Sequence, residues 1–328
     1  MLAEVTDHFG FRTVFKKYGF KNSFETKQSS RVTREIKHLS KCSGLVIVTG
    51  GMGIGKTTSI LQTIAHLKKE KQVIVSQSLA VEKEKVSVNT LMSAIFSDLA
   101  KDRKNKVPAT AEKRERTLCE LISAKNKPVL LFIDEAHDLT RHTLNSLKRL
   151  VEVVHINSKF PLSLILIGLP RLKNNICRSS MEEVGARTEI IELEGMNTEE
   201  KIQFSKWLIT SCTEKNKKTS EIIDDSSIKL LAEKVATPLQ IEQALELAFT
   251  QAYQMGENKV SKEIMEHAIA KDINAVDAKL ARLGYKPKDL AEVLHIRPAE
   301  ARNFINGKLT RTRFEELRDG LLQVGVPL

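Results

Sequence analysis

The stretch that decides the fold is "LVIVTGGMGIGKTTSILQTIAHL", which runs from Leu45 to Leu67. An apolar run of strand type breaks into glycines, reaches a lysine and two threonines, and then turns amphipathic with helical spacing. The segment from Gly50 to Thr57 matches the pattern GxxxxGK[ST] in full, between a buried strand and a helix. This order of elements predicts a loop that binds phosphate groups.

The residue types in this loop suit an anion. Glycine adopts positive φ and has no Cβ, so successive backbone N–H groups can converge on phosphate oxygens. The helix that begins near Lys56 adds the positive end of its dipole. We expect Lys56 to reach the β- and γ-phosphates of a nucleotide and the Thr57 hydroxyl to ligate Mg²⁺. The predicted nucleotide-binding residues of the loop are Gly50, Gly51, Met52, Gly53, Ile54, Gly55, Lys56, Thr57 and Thr58.

A second element distinguishes this loop from an ordinary glycine-rich turn. The apolar run Val129–Ile133 ends in Asp134 and Glu135. We expect Asp134 to hold Mg²⁺ together with Thr57, because this ion favours oxygen ligands and few protein groups. Glu135 is placed to orient or deprotonate a water in line with the γ-phosphate, so Glu135 and Lys56 are candidate catalytic residues. The two elements together predict binding and hydrolysis of ATP, since no NKxD-type guanine reader follows them.

Apolar runs and helical patterns alternate through the first two thirds of the chain, which is typical of a parallel sheet covered on both faces. Strands are predicted at Leu45–Thr49, Gln72–Gln77, Val129–Ile133, Leu162–Ile167 and Thr188–Leu193, and helices at Lys56–Lys68, Asn89–Leu99, Ala111–Ala124 and Thr143–Asn157. From Asn197 onward only amphipathic helices follow. The sequence thus predicts an α/β fold of the P-loop NTPase class, in the AAA+ arrangement of a parallel sheet with a helical lid.

The expected domains are a basic and aromatic N-terminal segment at 1–44, the nucleotide-binding AAA+ domain at 45–195 and the lid at 196–275. The remainder, 276–328, reads as four short helices with helix-turn-helix character. In it, Ala291, Leu294, Ile296, Ala301 and Ile305 are expected to form the core. Arg297, Glu300, Arg302 and Asn303 are expected to face outward, and His295 stands where the turn usually has glycine.

Charge is unevenly distributed along the chain. The formal net charge is +11, and residues 1–44 hold nine Lys and Arg against four Asp and Glu, while residues 278–328 hold ten against six. Basic ends around a near-neutral middle favour contact with a polyanion, nucleic acid first, although solubilising charge gives the same composition.

The four cysteines show no metal-ligand spacing, which favours reduced thiols. With no long apolar run and no secretory signal, we expect a cytoplasmic protein without membrane contact.

The sequence resembles the AAA+ ATPases of DNA transposition, MuB, IstB and TnsC, with the ExeA-like ATPases close by. The resemblance covers Leu45 to Lys271 and is carried by "TGGMGIGKTT", "LLFIDEAHDLTRHTLNSLKRL", "LILIGLPRL", "GARTEIIELEGMNTEEK" and "ATPLQIEQALELAFTQAYQMGENKVSKEIMEHAI". Helicases share the Asp134–His137 run, but their motif order does not follow it. The resemblance implies an ATPase in which Lys56, Thr57, Asp134 and Glu135 hold the roles described above.

The resemblance also implies assembly into a homo-oligomer. Arg187 is expected to reach the γ-phosphate of a neighbouring subunit, with Arg178 as the competing candidate and a structural arginine as the alternative reading. Such head-to-tail contacts close into rings or continue as filaments. Two positions depart from the family, because Leu169 and Leu239 occupy sites where relatives carry polar residues near the γ-phosphate. Loss of polar groups weakens stabilisation of the transition state, so we expect slow, switch-like hydrolysis.

Two regions are candidates for contact with double-stranded DNA. Inner loops of the family correspond here to a loop with Lys83 and Lys85 and to the basic run that contains Lys101, Arg103, Lys104 and Lys106. A solvated loop is the alternative reading, since Glu82, Glu84 and Asp102 offset the charge. In the C-terminal helices, Arg297, Arg302 and Asn303 are of the types that contact base edges and phosphates. The alternative there is a helical bundle that docks a protein, and Glu300 would repel phosphate.

These features favour an ATP-dependent DNA-binding regulator of transposition that oligomerises on target DNA and recruits or activates a transposase, with a target-selection protein as a possible further partner. Two alternatives remain open. One is an ATPase of the ExeA or origin-recognition type, which serves secretion or replication loading. The other is a signalling or defence NTPase. His8, His137 and His155 look isolated in the sequence, and none is expected to be a ligand.

Overall fold

The computed structural model describes residues 3–13, 15, 24–78, 87–99, 107–108, 110–177, 188–214, 217–269 and 276–326. Contacts divide the chain into two compact units. The sheet unit comprises Lys27–Gly51 and Lys56–Leu193, and the helical unit comprises Met1–Thr26, Met52–Gly55 and Glu194–Leu328. Within the described ranges, no helix combines the length and the apolar character that a membrane crossing needs.

The sheet unit is built on a parallel sheet. Its described strands are β1 (Gly44–Thr49), β2 (Ile74–Gln77), β3 (Val129–Ile133), β4 (Leu162–Gly168) and β5 (Thr188–Glu192). They lie in the order β2-β3-β4-β1-β5, and each neighbouring pair is parallel. Because β4 pairs with both β1 and β3, the carboxyl ends of these three strands meet at one edge of the sheet.

Helices flank this sheet along the chain. Helix α1 (Ala3–Phe9) belongs to the helical unit, and the helices of the sheet unit are α2 (Lys27–Leu39), α3 (Lys56–Glu70), α4 (Val88–Leu99), α5 (Ala111–Lys125), α6 (Arg141–Asn157) and α7 (Pro170–Ile176). A 3₁₀ turn spans Ala136–Asp138. All residues of β3 and β4 are buried, which explains their unbroken apolar sequences. The predicted strands and helices are confirmed to within two residues, whereas the short helix α7 was not predicted.

Helices alone form the helical unit in the described part of the chain. They are α1 and then α8 (Thr198–Cys212), α9 (Thr219–Ile222), α10 (Asp225–Lys234), α11 (Pro238–Gln254), α12 (Lys262–Ala268), α13 (Val276–Arg282), α14 (Pro287–Val293), α15 (Pro298–Ile305) and α16 (Arg311–Gln323). Asn197 and Thr237 begin α8 and α11 with capping boxes, in which side chains satisfy the first free N–H groups.

The aromatic residues near the N-terminus belong to the core of the helical unit. The rings of Phe9, Phe11 and Phe15 lie 5.0, 4.9 and 6.0 Å from the ring of Phe249, and all four side chains are buried. Aromatic pairs at such distances stabilise a core beyond their buried area. The N-terminal segment 1–44 is therefore not one unit by its contacts, because its first part groups with α11 and its second part with the sheet.

The last four helices have a small core of their own, which includes Leu290, Phe304 and Leu321. Of the residues expected in this core, Ala291 and Ala301 are buried, while Leu294, Ile296 and Ile305 are partly buried. His295 has φ 53°, the left-handed conformation for which glycine is the usual residue. The four helices and their turns are thus confirmed, and a helix-turn-helix function for them stays a prediction.

The aromatic cluster makes a clear prediction about stability. Phe249→Ala removes the ring at the centre of the cluster, so we expect a loss of about 3–5 kcal/mol in the free energy of unfolding. Leu247→Ala is the matched control, because Leu247 lies on the same helix and is 52% exposed. Its expected effect is within about 0.5 kcal/mol.

Urea unfolding followed by tryptophan fluorescence measures both variants. The chain has a single tryptophan, Trp207, which lies in the helical unit and stacks on Phe204 with ring centroids 5.9 Å apart. Equal unfolding midpoints for the two variants would contradict a core built around Phe249.

Candidate nucleotide-binding site

The glycine loop has the backbone that its sequence predicts. Gly53 and Gly55 have φ values of +75° and +97°, which L-residues with a Cβ rarely adopt. At Gly53 there is a second constraint, because an added Cβ would lie 2.8 Å from the Cβ of Leu239. The Gly53 carbonyl also accepts a hydrogen bond from the Leu239 N–H at 3.3 Å, and the Met52 N–H donates to the Arg282 carbonyl at 2.7 Å. Only glycine fits this close approach of two backbones.

Lys56 is the first residue of α3 and is 9% exposed. Its ammonium group donates a hydrogen bond to the Gly51 carbonyl at 3.0 Å, so the side chain lies along the loop. Burial lowers the pKa of Lys56, while the carboxylates of Glu135 and Asp134 act in the opposite direction. A cation that is largely removed from water attracts an anion more strongly than an exposed lysine does.

Thr57 and Asp134 lie together although they are far apart in sequence. The Thr57 hydroxyl donates to Asp134 Oδ2 at 3.1 Å, and the other carboxylate oxygen accepts the Glu135 N–H at 2.8 Å. Thr57 is exposed, so its hydroxyl remains open to a ligand. A hydroxyl and a carboxylate are oxygen donors of the kind that Mg²⁺ prefers. The donor set therefore fits the predicted cation.

Glu135 lies directly after Asp134 in an unusual backbone conformation. Its φ and ψ are 54° and 33°, in the left-handed region, and it begins the 3₁₀ turn Ala136–Asp138. A residue other than glycine is strained there, and such strain is concentrated at functional sites. The side chain is 56% exposed, so its carboxylate is accessible to water at the sheet edge. This is the position that the sequence predicts for the residue that activates water.

His137 is part of the same group of side chains, so the prediction that it is isolated is wrong. Its Nδ1 lies 3.3 Å from Glu135 Oε2, and its Nε2 lies 3.9 Å from Asp138 Oδ1. Arg171 on α7 donates to the same Asp138 oxygen at 2.6 Å. Burial lowers the pKa of His137, opposed by Asp138 and reinforced by Arg171. Acidic residues on both sides of the histidine were the signal in the sequence, but the contact with α7 depends on the fold.

Leu169 and Leu239, the two apolar positions noted in the sequence, lie at the end of a strand and at the start of a helix. Leu169 directly follows β4, is buried, and precedes α7 without capping it through its side chain. Leu239 lies in the first turn of α11, against Gly53. Neither side chain can donate or accept a hydrogen bond.

Several predicted residues fall outside the part of the chain that the structure describes. These are Arg178, Arg187, Lys83, Lys85, Lys101, Arg103, Lys104 and Lys106. In the C-terminal helices, Arg297, Arg302 and Asn303 are exposed, as expected. Glu300 differs from the expectation that it faces outward and repels phosphate, because it is partly buried and its carboxylate accepts from Arg313 Nε at 2.8 Å.

Comparison with known proteins supports the fold. Residues 40–176 match the family model of the AAA domain. The comparison with curated protein sequences found no match. Among solved structures, the Aeropyrum pernix ORC2 protein in its ADPNP-ADP complexes is similar with a TM-score of 0.59 and 15% identity, over 96% of this chain and 90% of that one.

Two further solved structures give the same result. Cdc6p from Pyrobaculum aerophilum has a TM-score of 0.56 at 12% identity, over 93% of this chain and 88% of that chain. The Aeropyrum pernix ORC1 protein in complex with DNA has a TM-score of 0.55 at 14% identity, over 99% and 89%. At these identities the likeness concerns the fold. The match of residues 40–176 to the AAA domain, the glycine loop and the parallel sheet together give the chain an α/β fold that matches a P-loop AAA+ ATPase.

The geometry of the loop predicts different effects for two glycines of similar φ. Gly53→Ala adds both the cost of a left-handed alanine, about 1–2 kcal/mol, and the clash with Leu239. Gly256→Ala is the matched control, because its φ is +74° and an added Cβ meets nothing within 4 Å. We expect Gly53→Ala to weaken binding of a fluorescent ATP analogue at least tenfold, and Gly256→Ala to leave it unchanged. Equal affinities of the two variants would show that the Leu239 contact does not shape the loop.

Proposed function

We propose that this protein is an ATP-dependent AAA+ switch that hydrolyses ATP slowly and assembles on double-stranded DNA. The observation that carries the proposal is the pairing of Thr57 with Asp134 at 3.1 Å, beside a buried lysine. A hydroxyl and a carboxylate at one edge of a parallel sheet, next to a glycine loop, form the arrangement that binds a triphosphate with its cation. The similar ORC2 protein was solved in ADPNP-ADP complexes, which supports nucleotide binding by this fold.

Each residue of the site has a proposed role. Apart from the Met52 N–H, which donates to the Arg282 carbonyl, the N–H groups of Gly50 to Thr58 surround the phosphates, and Lys56 contacts the β- and γ-phosphates. Thr57 and Asp134 hold Mg²⁺, which neutralises charge on the phosphate oxygens when it is bound. Glu135 orients the attacking water and accepts its proton.

Slow hydrolysis follows from the two leucines. In the transition state, charge spreads over the γ-phosphoryl oxygens, and polar groups aimed at them lower the barrier. Leu169 and Leu239 offer no such group. Because binding in the ground state rests on the loop and on Lys56, affinity for ATP is retained while turnover is low. Rapid turnover by the purified protein without DNA or a partner would contradict this part of the proposal.

Assembly and DNA contact are supported by charge and by the domain order. Arg187 is proposed to reach a neighbour's γ-phosphate, which joins subunits in the ATP state. The basic loop residues Lys83, Lys85, Lys101, Arg103, Lys104 and Lys106 and the exposed Arg297, Arg302 and Asn303 are proposed DNA contacts. The formal net charge of +11 favours this partner, and the similar ORC1 protein was solved in complex with DNA.

Two DNA processes fit such a switch. The likeness to ORC2 extends over 96% of this chain, which supports an origin-recognition type of function in replication loading. The sequence stretches from Leu45 to Lys271 support a regulator of transposition with a transposase and a target-selection protein as partners. Genomic adjacency to an integrase-type transposase gene, followed by stimulation of that transposase, separates the two.

Substitution of the catalytic carboxylate tests the ATPase. We expect Glu135→Gln to retain ATP binding and to lower the hydrolysis rate by about 10²–10⁴-fold, because an amide cannot accept the proton of water. Lys56→Ala should lose both binding and hydrolysis. Phosphate release and titration with a fluorescent analogue measure the two properties. A Glu135→Gln variant that hydrolyses ATP at the wild-type rate would contradict the assignment.

Electron microscopy with DNA tests the assembly. We expect rings or filaments on duplex DNA with ATP or a slow analogue, and none with Lys56→Ala. Polymers that form equally well without nucleotide would count against an ATP-dependent switch.

Salt dependence of DNA binding tests the C-terminal contact. If Arg302 contacts a phosphate, Arg302→Ala should lower the slope of log affinity against log salt concentration by about one. Arg318→Ala is the control, because Arg318 is exposed on the next helix, α16, and its substitution removes the same charge. Identical slopes for both variants would favour a docking function for these helices.

A further inference from the structure

The imidazole of His137 fills the space at the end of β4. Gly168, the last residue of that strand, has no side chain, and an added Cβ would lie 3.2 Å from the His137 backbone nitrogen and 3.3 Å from its Nδ1. The ring is 7% exposed, so it is held between the strand end and the turn after β3. This is the region in which Leu169 supplies no polar group. His137 therefore brings a nitrogen to an edge that β4 itself leaves apolar.

The nitrogen that faces Glu135 is poised for a hydrogen bond. Nδ1 is buried and lies 3.3 Å from Glu135 Oε2, but in the described part of the chain it makes no contact with hydrogen-bond geometry. A buried polar atom without a partner costs about 1–3 kcal/mol. A hydrogen bond between Nδ1 and the Glu135 carboxylate would recover that energy. The arrangement thus favours a Glu135 carboxylate drawn toward the ring.

The Nε2 side of the His137 ring faces an ion pair. Asp138 lies 3.9 Å from Nε2, and Arg171 holds the same Asp138 oxygen at 2.6 Å. Arg171 belongs to α7, whose N-terminus follows β4 directly. The ion pair therefore ties the turn that carries His137 to the element after β4.

We propose that His137 is a positioning residue, which orients the Glu135 carboxylate toward the attacking water through Nδ1 and replaces the polar group missing after β4. The inference rests on the proposed ATPase function and adds a residue to it. The charged groups that face the ring are Asp138 and Arg171 on one side and Glu135, with Asp134 and Lys56 beyond it. The role depends on hydrogen-bond geometry, so side chains of different reach distinguish it from simple space filling.

Substitution of His137 by asparagine or by glutamine distinguishes a positioning role from a packing role. The side-chain amide of asparagine reaches the position of Nδ1, whereas that of glutamine reaches the position of Nε2. Glutamine resembles histidine more closely in volume, so a packing role predicts that His137→Gln is the milder change. A positioning role predicts the reverse order. His137→Ala removes both nitrogens and gives the full loss.

Steady-state ATP hydrolysis gives kcat and KM separately, and a fluorescent analogue gives the affinity. We expect His137→Gln and His137→Ala to lower kcat by about 10- to 100-fold, because misplaced catalytic groups cost up to about 100-fold. KM and the affinity should stay within about twofold of the wild type, and His137→Asn should retain kcat within about threefold. The proposal is overturned if His137→Gln has the wild-type kcat, if the two amide variants lose kcat equally, or if only KM changes.

A second variant displaces the ring without changing it. Gly168→Ala places a Cβ against His137 and should also lower kcat at unchanged affinity, while the Leu172 side chain can turn aside. Gly44→Ala is the matched control, because it lies in β1 and its Cβ would meet nothing within 4 Å. If Gly168→Ala and Gly44→Ala have the same kcat, the contact does not matter.

The outcomes also separate this inference from the proposed function. A wild-type protein that binds ATP and never hydrolyses it removes the ATPase and this inference together. If the wild type hydrolyses ATP, Glu135→Gln does not, and His137→Gln does so at the wild-type rate, then only the role of His137 is excluded.

Discussion

The hydrogen bond between Thr57 and Asp134 depends on the order of strands in the sheet, and the site depends on that bond. These residues follow β1 and β3, which do not pair with each other but both pair in parallel with β4. In the register, Thr49 stands opposite Gly168 and Ile133 opposite Leu166, so both strands end near the same level. A shift in either pairing would separate the hydroxyl from the carboxylate. The buried sheet thus sets the distance between the two predicted cation ligands.

The buried apolar strands allow the carboxyl edge of the sheet to hold polar groups in energetically costly states. The strands β3 and β4 are buried along their whole length, and their burial stabilises the unit enough to hold polar groups in costly states. Three such states lie close together: Lys56 is a nearly buried cation, Glu135 has a left-handed backbone, and His137 has a buried nitrogen without a hydrogen bond among described residues. Functional sites commonly carry strain of this kind.

Much of this structure could be predicted from the sequence, because the signals are local. Strand and helix periods fixed the elements, and the spacing of Gly50 to Thr57 and of Asp134 and Glu135 identified the site. The role of His137 could not be predicted, since it depends on Gly168 and Arg171, which another strand and helix supply. The same holds for Phe9 and Phe249, and for Glu300 and Arg313, which meet only in the folded chain. Long-range contacts leave no periodic trace in a sequence.

The site as a whole has strong ground-state contacts and few groups aimed at the γ-phosphoryl. In the proposed function, the loop amides, Lys56, Thr57 and Asp134 bind the nucleotide whether or not it reacts, whereas Leu169 and Leu239 contribute no charge to a transition state. In the same proposal, Glu135 acts on the attacking water and His137 positions Glu135. A carboxylate oriented by one imidazole ring is a modest catalyst compared with a full set of polar groups. The proposed slow turnover would keep ATP bound between hydrolysis events, which is the property that a nucleotide-dependent assembly requires.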